Sequence, residues 1–193
     1  MYGKFDTERL AVKPWKEDGY PPSAPPSAAD TTTTSSSLTQ EIAEILEEDV
    51  TAFLPESLVF QRGKSDAATW ARTFSNGNDV SSVRFRGDGG GDNKHNNKLA
   101  GLLMMRTESV GNIHIGYIFG KAYWGQGLAT ELNRGLVDHL IQRGYDGTLH
   151  AGVVVGNPAS AAVLKKVGFQ PVDKSGDEKS DGDVDMFIRR FKE

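Results

Sequence analysis

The stretch "GYIFGKAYWGQGLATEL", Gly116 to Leu132, leaves an apolar segment, passes through a cluster of glycines and enters a helical pattern. Gly116, Gly120, Gly125 and Gly127 make four of its first twelve residues, and no Gly-Lys-Ser/Thr follows them. A strand that enters a helix through glycines presents unpaired backbone N–H groups, and the positive end of the helix dipole, to one point. Such a point binds anions, phosphates above all, without needing a lysine. The plainer reading of the same glycines is a turn and nothing more. A triphosphate loop is excluded by the missing Gly-Lys-Ser/Thr. The dinucleotide fingerprint comes nearer, at Gly125-Gln126-Gly127-Leu128-Ala129-Thr130. Thr130, however, stands where its third glycine belongs, and the turn begins several residues after the strand. Asp146 lies at about the distance of that fingerprint's acidic residue, but within the turn "GYDG". The dinucleotide reading is set aside.

Outward from this turn, the periodicity lays out the rest. Upstream, "VSSVRFRG", "KLAGLLMMRTE" and "GNIHIGYIFG" are three candidate strands, the last two joined by a tight turn around Ser109 to Asn112, and they form an antiparallel meander. Downstream, Leu128, Leu132, Leu136 and Leu140 repeat every four residues, a helix ending at Arg143 with Gly144 just beyond. "TLHAGVVV" is a buried strand. "NPASAAVLKKVGF" opens a second helix with Asn157 as N-cap and Pro158 as first residue, stopped by Gly168. "DVDMFIRRF" alternates as a terminal strand, pairing with one near Phe169 to Val172. Near the N-terminus "ERLAVKPW" is a short strand ended by Pro14. "LTQEIAEILEEDVTAFLPESL" is one amphipathic helix, capped by Thr39 and ending before Pro55. "DAATWARTF" is a second, shorter helix. The fold class is α+β, a mixed sheet with helices on both faces.

"GYIFGKAYWGQGLATEL" followed by "VVVGNPASAAVLKKVGF" resembles the acyl-CoA-binding core of the GNAT acetyltransferase superfamily. That family's pyrophosphate loop has the form R/Q-x-x-G-x-G/A, here Trp124-Gly125-Gln126-Gly127-Leu128-Ala129, with Trp124 in place of the first Arg or Gln. "YWGQG-ATE", together with "TERLAVKPW", resembles the ribosomal-protein alanine N-acetyltransferase (RimJ/RimL-like) branch. The resemblance implies a GNAT-type, mostly antiparallel sheet and a single N-acetyltransferase domain over residues 1–193. It implies acetyl-CoA as co-substrate and direct transfer to a primary amine, a protein N-terminus or a small-molecule amine, without an acyl-enzyme. The turn then holds the pyrophosphate on the backbone of Gly125, Gln126, Gly127, Leu128, Ala129 and Thr130. Backbone groups of Tyr117, Ile118 and Phe119 pair with the pantetheine arm, an N–H of Ile118 or Phe119 faces the thioester carbonyl, and Asn157 contacts the arm. For the base, His114 stands where relatives often carry glutamate, with Glu108 and His150 as alternatives. For the acid, Ser160 stands at the serine of "N-x-x-S", while Leu164 occupies the position of the tyrosine found in many members. Catalysis by positioning alone also stays open. So does a non-catalytic acyl-CoA-binding module.

The bulk composition narrows the classes. The chain has 193 residues, 37% hydrophobic and 25% charged, enough for one domain with a core. With a net charge of -4 and no cysteine, nucleic acid is not an expected partner, and disulfides, thiolate nucleophiles and cysteine-held metals are excluded. The histidines His95, His114, His139 and His150 show no metal-ligand spacing, so no metal is expected. No apolar run suits a membrane span and the N-terminus lacks a signal peptide's apolar core, which makes the expected location cytoplasmic; the expected state is a monomer or homodimer. The Pro/Thr/Ser-rich stretch at about 17–37 is expected to be a disordered insertion, and the Gly/Asn-rich stretch at about 87–98 a flexible loop. The acidic run Glu44, Glu47, Glu48 and Asp49 borders the expected acceptor side and favours a cationic amine.

Overall fold

Short alternating segments punctuated by glycine, proline and asparagine become an open sheet in the computed structural model, which describes residues 3–18, 33–61, 63–87, 97–172 and 184–191. The strands and helices run in chain order as β1 (Phe5–Asp6), β2 (Leu10–Pro14), α1 (Thr33–Ile45), α2 (Glu48–Thr51), α3 (Ala67–Ser75), β3 (Asp79–Phe85), β4 (Leu99–Ser109) and β5 (Asn112–Phe119). They continue as α4 (Leu128–Gln142), β6 (Thr148–Val154), α5 (Pro158–Lys166), β7 (Gln170–Pro171) and β8 (Val184–Arg190). The eight strands lie in the order β1-β2-β3-β4-β5-β6-β8-β7. All pair antiparallel except β5 with β6. The expected meander β3-β4-β5 is present, and so is the terminal pair of β7 with β8.

Because strand side chains alternate in direction, the sheet buries two separate apolar layers. On one face Leu103, Met105, Ile113, Ile115 and Leu149 meet the stripe Leu128, Leu132, Leu136 and Leu140 of α4, with Leu164 of α5 closing the layer. On the other, Leu99, Leu102 and Ile118 meet Ile42, Ile45 and Leu46 of α1 and its C-terminal end, and Trp70 and Phe74 of α3. The helices therefore flank both faces, as the patterning implied. Each fully buried leucine in these layers contributes on the order of 2 kcal/mol.

One helix differs from its sequence reading. The stretch expected as a single helix starting at Thr39 is two: the backbone is helical from Thr33 to Ile45, and α2 begins anew after an extended Glu47 (φ -118°, ψ 159°). The break is local: Leu46 N still bonds to Ile42 O, the next helical bonds run from Val50 N and Thr51 N to Glu47 O, and the buried Thr51 Oγ1 then accepts from Phe60 N at 2.9 Å. Most of the stretches at about 17–37 and 87–98 lies outside the described residues. On either side of the first of them, Asp18 and Glu41 both reach the buried guanidinium of Arg84 on β3. Burial alone would lower the pKa of Arg84. The two carboxylates outweigh it and hold that pKa above its ordinary value.

Candidate functional site

The candidate site starts where the sheet comes apart. Between β5 and β6 the parallel pairing covers only Asn112 with Thr148, Ile113 with Leu149 and His114 with His150. Beyond His114, β5 stays with β4 as far as Phe119, and β6 stays with β8 as far as Val154. The two strands thus diverge, and the backbone edge of β5 from Ile115 to Phe119 faces a wedge. An unpaired strand edge of this kind can take up an extended polar chain by the hydrogen bonding of an added strand.

At the open end of the wedge β5 runs through Gly120 and a short 3₁₀ turn, Lys121–Tyr123, to the glycine turn. Gly125 and Gly127 have φ of 73° and 77°, a region that strongly favours glycine. Gly127 is the N-cap of α4 and has no side-chain cap, and the first bond back to it comes from Glu131 N to Gly127 O at 3.0 Å. Among the described residues no acceptor meets the N–H groups of Gly125 through Thr130. The loop therefore has the donors, and the dipole end, of an anion site. The Leu128 side chain turns into the core, so that residue offers the site only its backbone.

Two side chains hold the turn from the outside. The Trp124 indole N–H donates to Phe119 O at 2.8 Å, folding the ring back over the end of β5 with about half of it exposed (47%). The Gln126 side-chain amide donates to Ala122 O at 3.0 Å. Trp124 thus does not replace the arginine or glutamine usual at its position as a donor into the loop. The Phe119 carbonyl, expected to face a bound chain, already accepts this indole bond.

Across the wedge, the Tyr117 hydroxyl and Ser160 Oγ lie 3.0 Å apart. Ser160 is held by the start of α5, where its N–H donates to Asn157 Oδ1 at 3.1 Å. Asn157 is therefore the N-cap of that helix, which leaves its amide nitrogen for another acceptor. Burial pushes the Tyr117 hydroxyl above its ordinary pKa, and the bond to Ser160 offsets only part of this, so it stays protonated at neutral pH.

His114 sits at the closed end of the wedge. Its Nε2 lies 3.2 Å from Glu108, which Arg106 also contacts at 3.1 Å. Its ring stacks on that of His150, with centroids 5.1 Å apart and planes 5° from parallel. Burial, aided by His150 and Arg106, lowers the pKa of His114 below the ordinary histidine value against the opposing pull of Glu108. His114 is therefore the neutral imidazole at pH 7, the form that accepts a proton. The structure does not bring His114 and Ser160 together. His114 alternates with Ile113 and Ile115 and faces away from their layer, whereas Tyr117, which carries Ser160, packs against it. Leu164, at the tyrosine position of many relatives, is core with 1% exposed. Of the acidic run, Asp49 is bonded to Lys121 and so is spent locally.

Sequence reading missed one cluster altogether. Arg9 and Thr7, from the turn between β1 and β2, both bind Glu131 in the first turn of α4. "TERL" and "ATEL" each hold a partner, but no local pattern links positions 122 residues apart. Among the described residues no group of three or more His, Asp or Glu side chains is arranged to hold a metal ion, and no helix is long and apolar enough to cross a membrane.

Comparison with known proteins bears on this geometry. Residues 32–170 match the family model of the acetyltransferase (GNAT) domain. The acetyltransferase (GNAT family) of Bacillus anthracis shares the fold at a TM-score of 0.62 and 17% identity, over 96% of this chain and 95% of that one. RimL, a ribosomal-protein α-N-acetyltransferase solved with coenzyme A, does so at 0.61 and 18% identity, over 94% of each chain. YkkB, an uncharacterized protein of Bacillus subtilis (strain 168), is 32% identical over 69 residues. Those residues span 36% of this chain and 40% of YkkB, less than half the length of that relative.

Proposed function

The chain belongs to the GNAT acetyltransferase family, and from that premise we propose that it transfers an acetyl group from acetyl-CoA directly to a primary amine, either a peptide N-terminus or a small-molecule amine. The observation that carries the reading is the wedge between β5 and β6, opening onto a helix start whose N–H groups have no acceptor among the described residues. Acetyl-CoA brings a thioester, an extended polar arm and a pyrophosphate. The backbone of Gly125 to Thr130 receives the pyrophosphate, and the β5 edge from Tyr117 to Phe119 receives the arm, with the Asn157 amide nitrogen as a further donor. The Ile118 backbone faces β4, as its carbonyl against Gly101 and the Gly120 N to Ala100 O bond require, so the N–H of Phe119 polarises the thioester carbonyl, as donors aimed at developing negative charge do.

As the amine nitrogen bonds to the carbonyl carbon, it gives up a proton to the neutral His114 imidazole, directly or through water. The carbon–sulfur bond breaks, and the departing thiolate takes a proton from Ser160. Solvent returns that proton to Ser160, which the Tyr117 hydroxyl, 3.0 Å away and itself kept protonated, holds in place. Base and acid thus act from opposite faces of β5, with the reacting carbon in the wedge between them. Cytoplasmic residence and a monomeric or homodimeric state are part of the same proposal.

The test is thiol release from acetyl-CoA in the presence of a panel of amines and N-terminal peptides. Turnover on any of them supports the proposal. The buried Leu164 favours a second reading, an acyl-CoA-binding module without catalysis. Tight acetyl-CoA binding with no turnover on the whole panel would select it.

A further inference from the structure

The turn between β1 and β2 is fastened to the glycine turn more firmly than a surface contact requires. Arg9 donates from Nε to Glu131 Oε2 at 2.6 Å and from its backbone N–H to Glu131 Oε1 at 2.7 Å. Thr7 Oγ1 donates to the same Oε1 at 2.5 Å. Both terminal nitrogens of Arg9 then reach Gln126 O at 3.1 Å. Gly135, further along α4, lets the helix lie against this turn: a Cβ there would stand 2.4 Å from Thr7 Cγ2. Burial raises the Glu131 pKa, but the bonds from Thr7 and Arg9 prevail and keep it below the ordinary range, so the carboxylate stays charged.

What this clamp grips is the peptide unit that leads into the start of α4. In a trans peptide the C=O of Gln126 and the N–H of Gly127 point opposite ways. With that carbonyl held outward by the guanidinium, the Gly127 N–H turns inward with its neighbours. Glycine at 127 tolerates φ of either sign, so local sterics there do not oppose a flip of this peptide. A flip would aim a carbonyl oxygen at the bound anion. The loop also lacks the arginine or glutamine usual at position 124, and the Trp124 indole is engaged with β5. Glu131, a negative charge one turn above the anion, is neutralised by the same guanidinium.

We propose that Arg9 is a positioning residue for the pyrophosphate loop: its guanidinium fork, anchored by Glu131, locks the Gln126–Gly127 peptide with its N–H toward the cofactor. This rests on the acetyl-CoA reading above. The experiment compares wild type, Arg9→Ala and Arg9→Lys with acetyl-CoA and with acetyl-pantetheine, which carries the thioester and arm but no pyrophosphate. Loss of a charge-assisted bond predicts that Arg9→Ala raises the KM for acetyl-CoA by about tenfold or more, with kcat within about twofold. KM for acetyl-pantetheine stays at the wild-type value. Arg9→Lys recovers part of the loss, since one ammonium cannot hold Glu131 and the carbonyl with the same fork. Should Arg9→Ala unfold, Arg9→Lys carries the same test with a smaller, several-fold rise. An acetyl-CoA KM unchanged in Arg9→Lys and, if it folds, in Arg9→Ala, or equal losses with the two donors, overturns the proposal. A wild type that binds neither coenzyme A nor acetyl-CoA overturns the acetyl-transfer reading instead, and this one falls with it.

Discussion

The two ends of β5 make a useful contrast. At Phe119 the strand runs into a turn whose polar groups are backbone: glycines at positive φ, a helix start without a side-chain cap, N–H groups without acceptors among the described residues. At Asn112 to His114 it lies among polar side chains: His114, Glu108, Arg106 and the stacked His150. Backbone function needs particular residue types at fixed local spacing, so it leaves a pattern in the sequence. Side-chain function needs only that distant residues meet, and many residue types can serve. The same contrast separates the faces of the sheet. The α4–α5 face is apolar throughout, most of it from Ala100 to Phe169 with Phe5, Leu10, Val12, Val83 and Phe187 added, while the α1–α3 face is also tied by ions that Asp18, Glu41 and Arg84 bring from separate parts of the chain.

The contrast is open to breaking by mutation. The largest stability effect belongs to the charge-tied face. Arg84→Met removes a buried cation and strands Asp18 and Glu41, and because those carboxylates keep some solvent the cost sits at the low end of the range, about 3 kcal/mol. Chemical denaturation measures it. Acetyl-CoA affinity of the variant, measured where it is folded, is expected to match wild type, and a parallel loss of affinity would show that the two faces are not separable.

Next comes the closed end of β5. If His114 is the base, His114→Gln lowers kcat by roughly 10²-fold or more while acetyl-CoA affinity holds. An unchanged kcat would leave the imidazole as packing and shift the proton to solvent. The smallest effect sharpens the assignment. Wild-type kcat/KM is expected to fall with acid as His114 protonates, at a pH below the ordinary histidine value because burial lowers its pKa. Glu108 is the one neighbour raising that pKa, so Glu108→Gln moves the acid limb to still lower pH. A limb that stays fixed, or moves upward, would assign the titration to another group.

How far the sequence could be read follows the same line. The Leu128-to-Leu140 stripe, the Asn157-Pro158 start of α5 and the alternation of β3 to β5 each announced their element, because periodicity and caps are local. The glycine turn was legible as a strand-to-helix turn for the same reason, and Leu164 as apolar. The division of α1 from α2 was not, since the stretch keeps helical periodicity across it and Thr51 meets its partner, Phe60 N, only in the fold. Nor was the grip of Arg9 on Gln126, which exists only because β1, β2 and α4 are neighbours in the folded sheet. The face on which each strand residue lands, and with it the separation of His114 from Ser160, follows from alternation only once the sheet order is known.

The central claim is that the turn at Gly125 to Thr130 holds the pyrophosphate of coenzyme A. Titration calorimetry of wild type and Gly127→Asp against acetyl-CoA, with NAD as control, tests it most directly. The account predicts micromolar binding of acetyl-CoA by wild type and little heat from NAD. It also predicts a loss of about tenfold or more in Gly127→Asp, where a side chain at positive φ adds strain and its Cβ would stand 3.8 Å from the Arg9 guanidinium, placing a carboxylate that draws it off the Gln126 carbonyl. Equal affinity of the two proteins for acetyl-CoA, with Gly127→Asp folded, would reduce the glycine cluster to a turn and contradict the account.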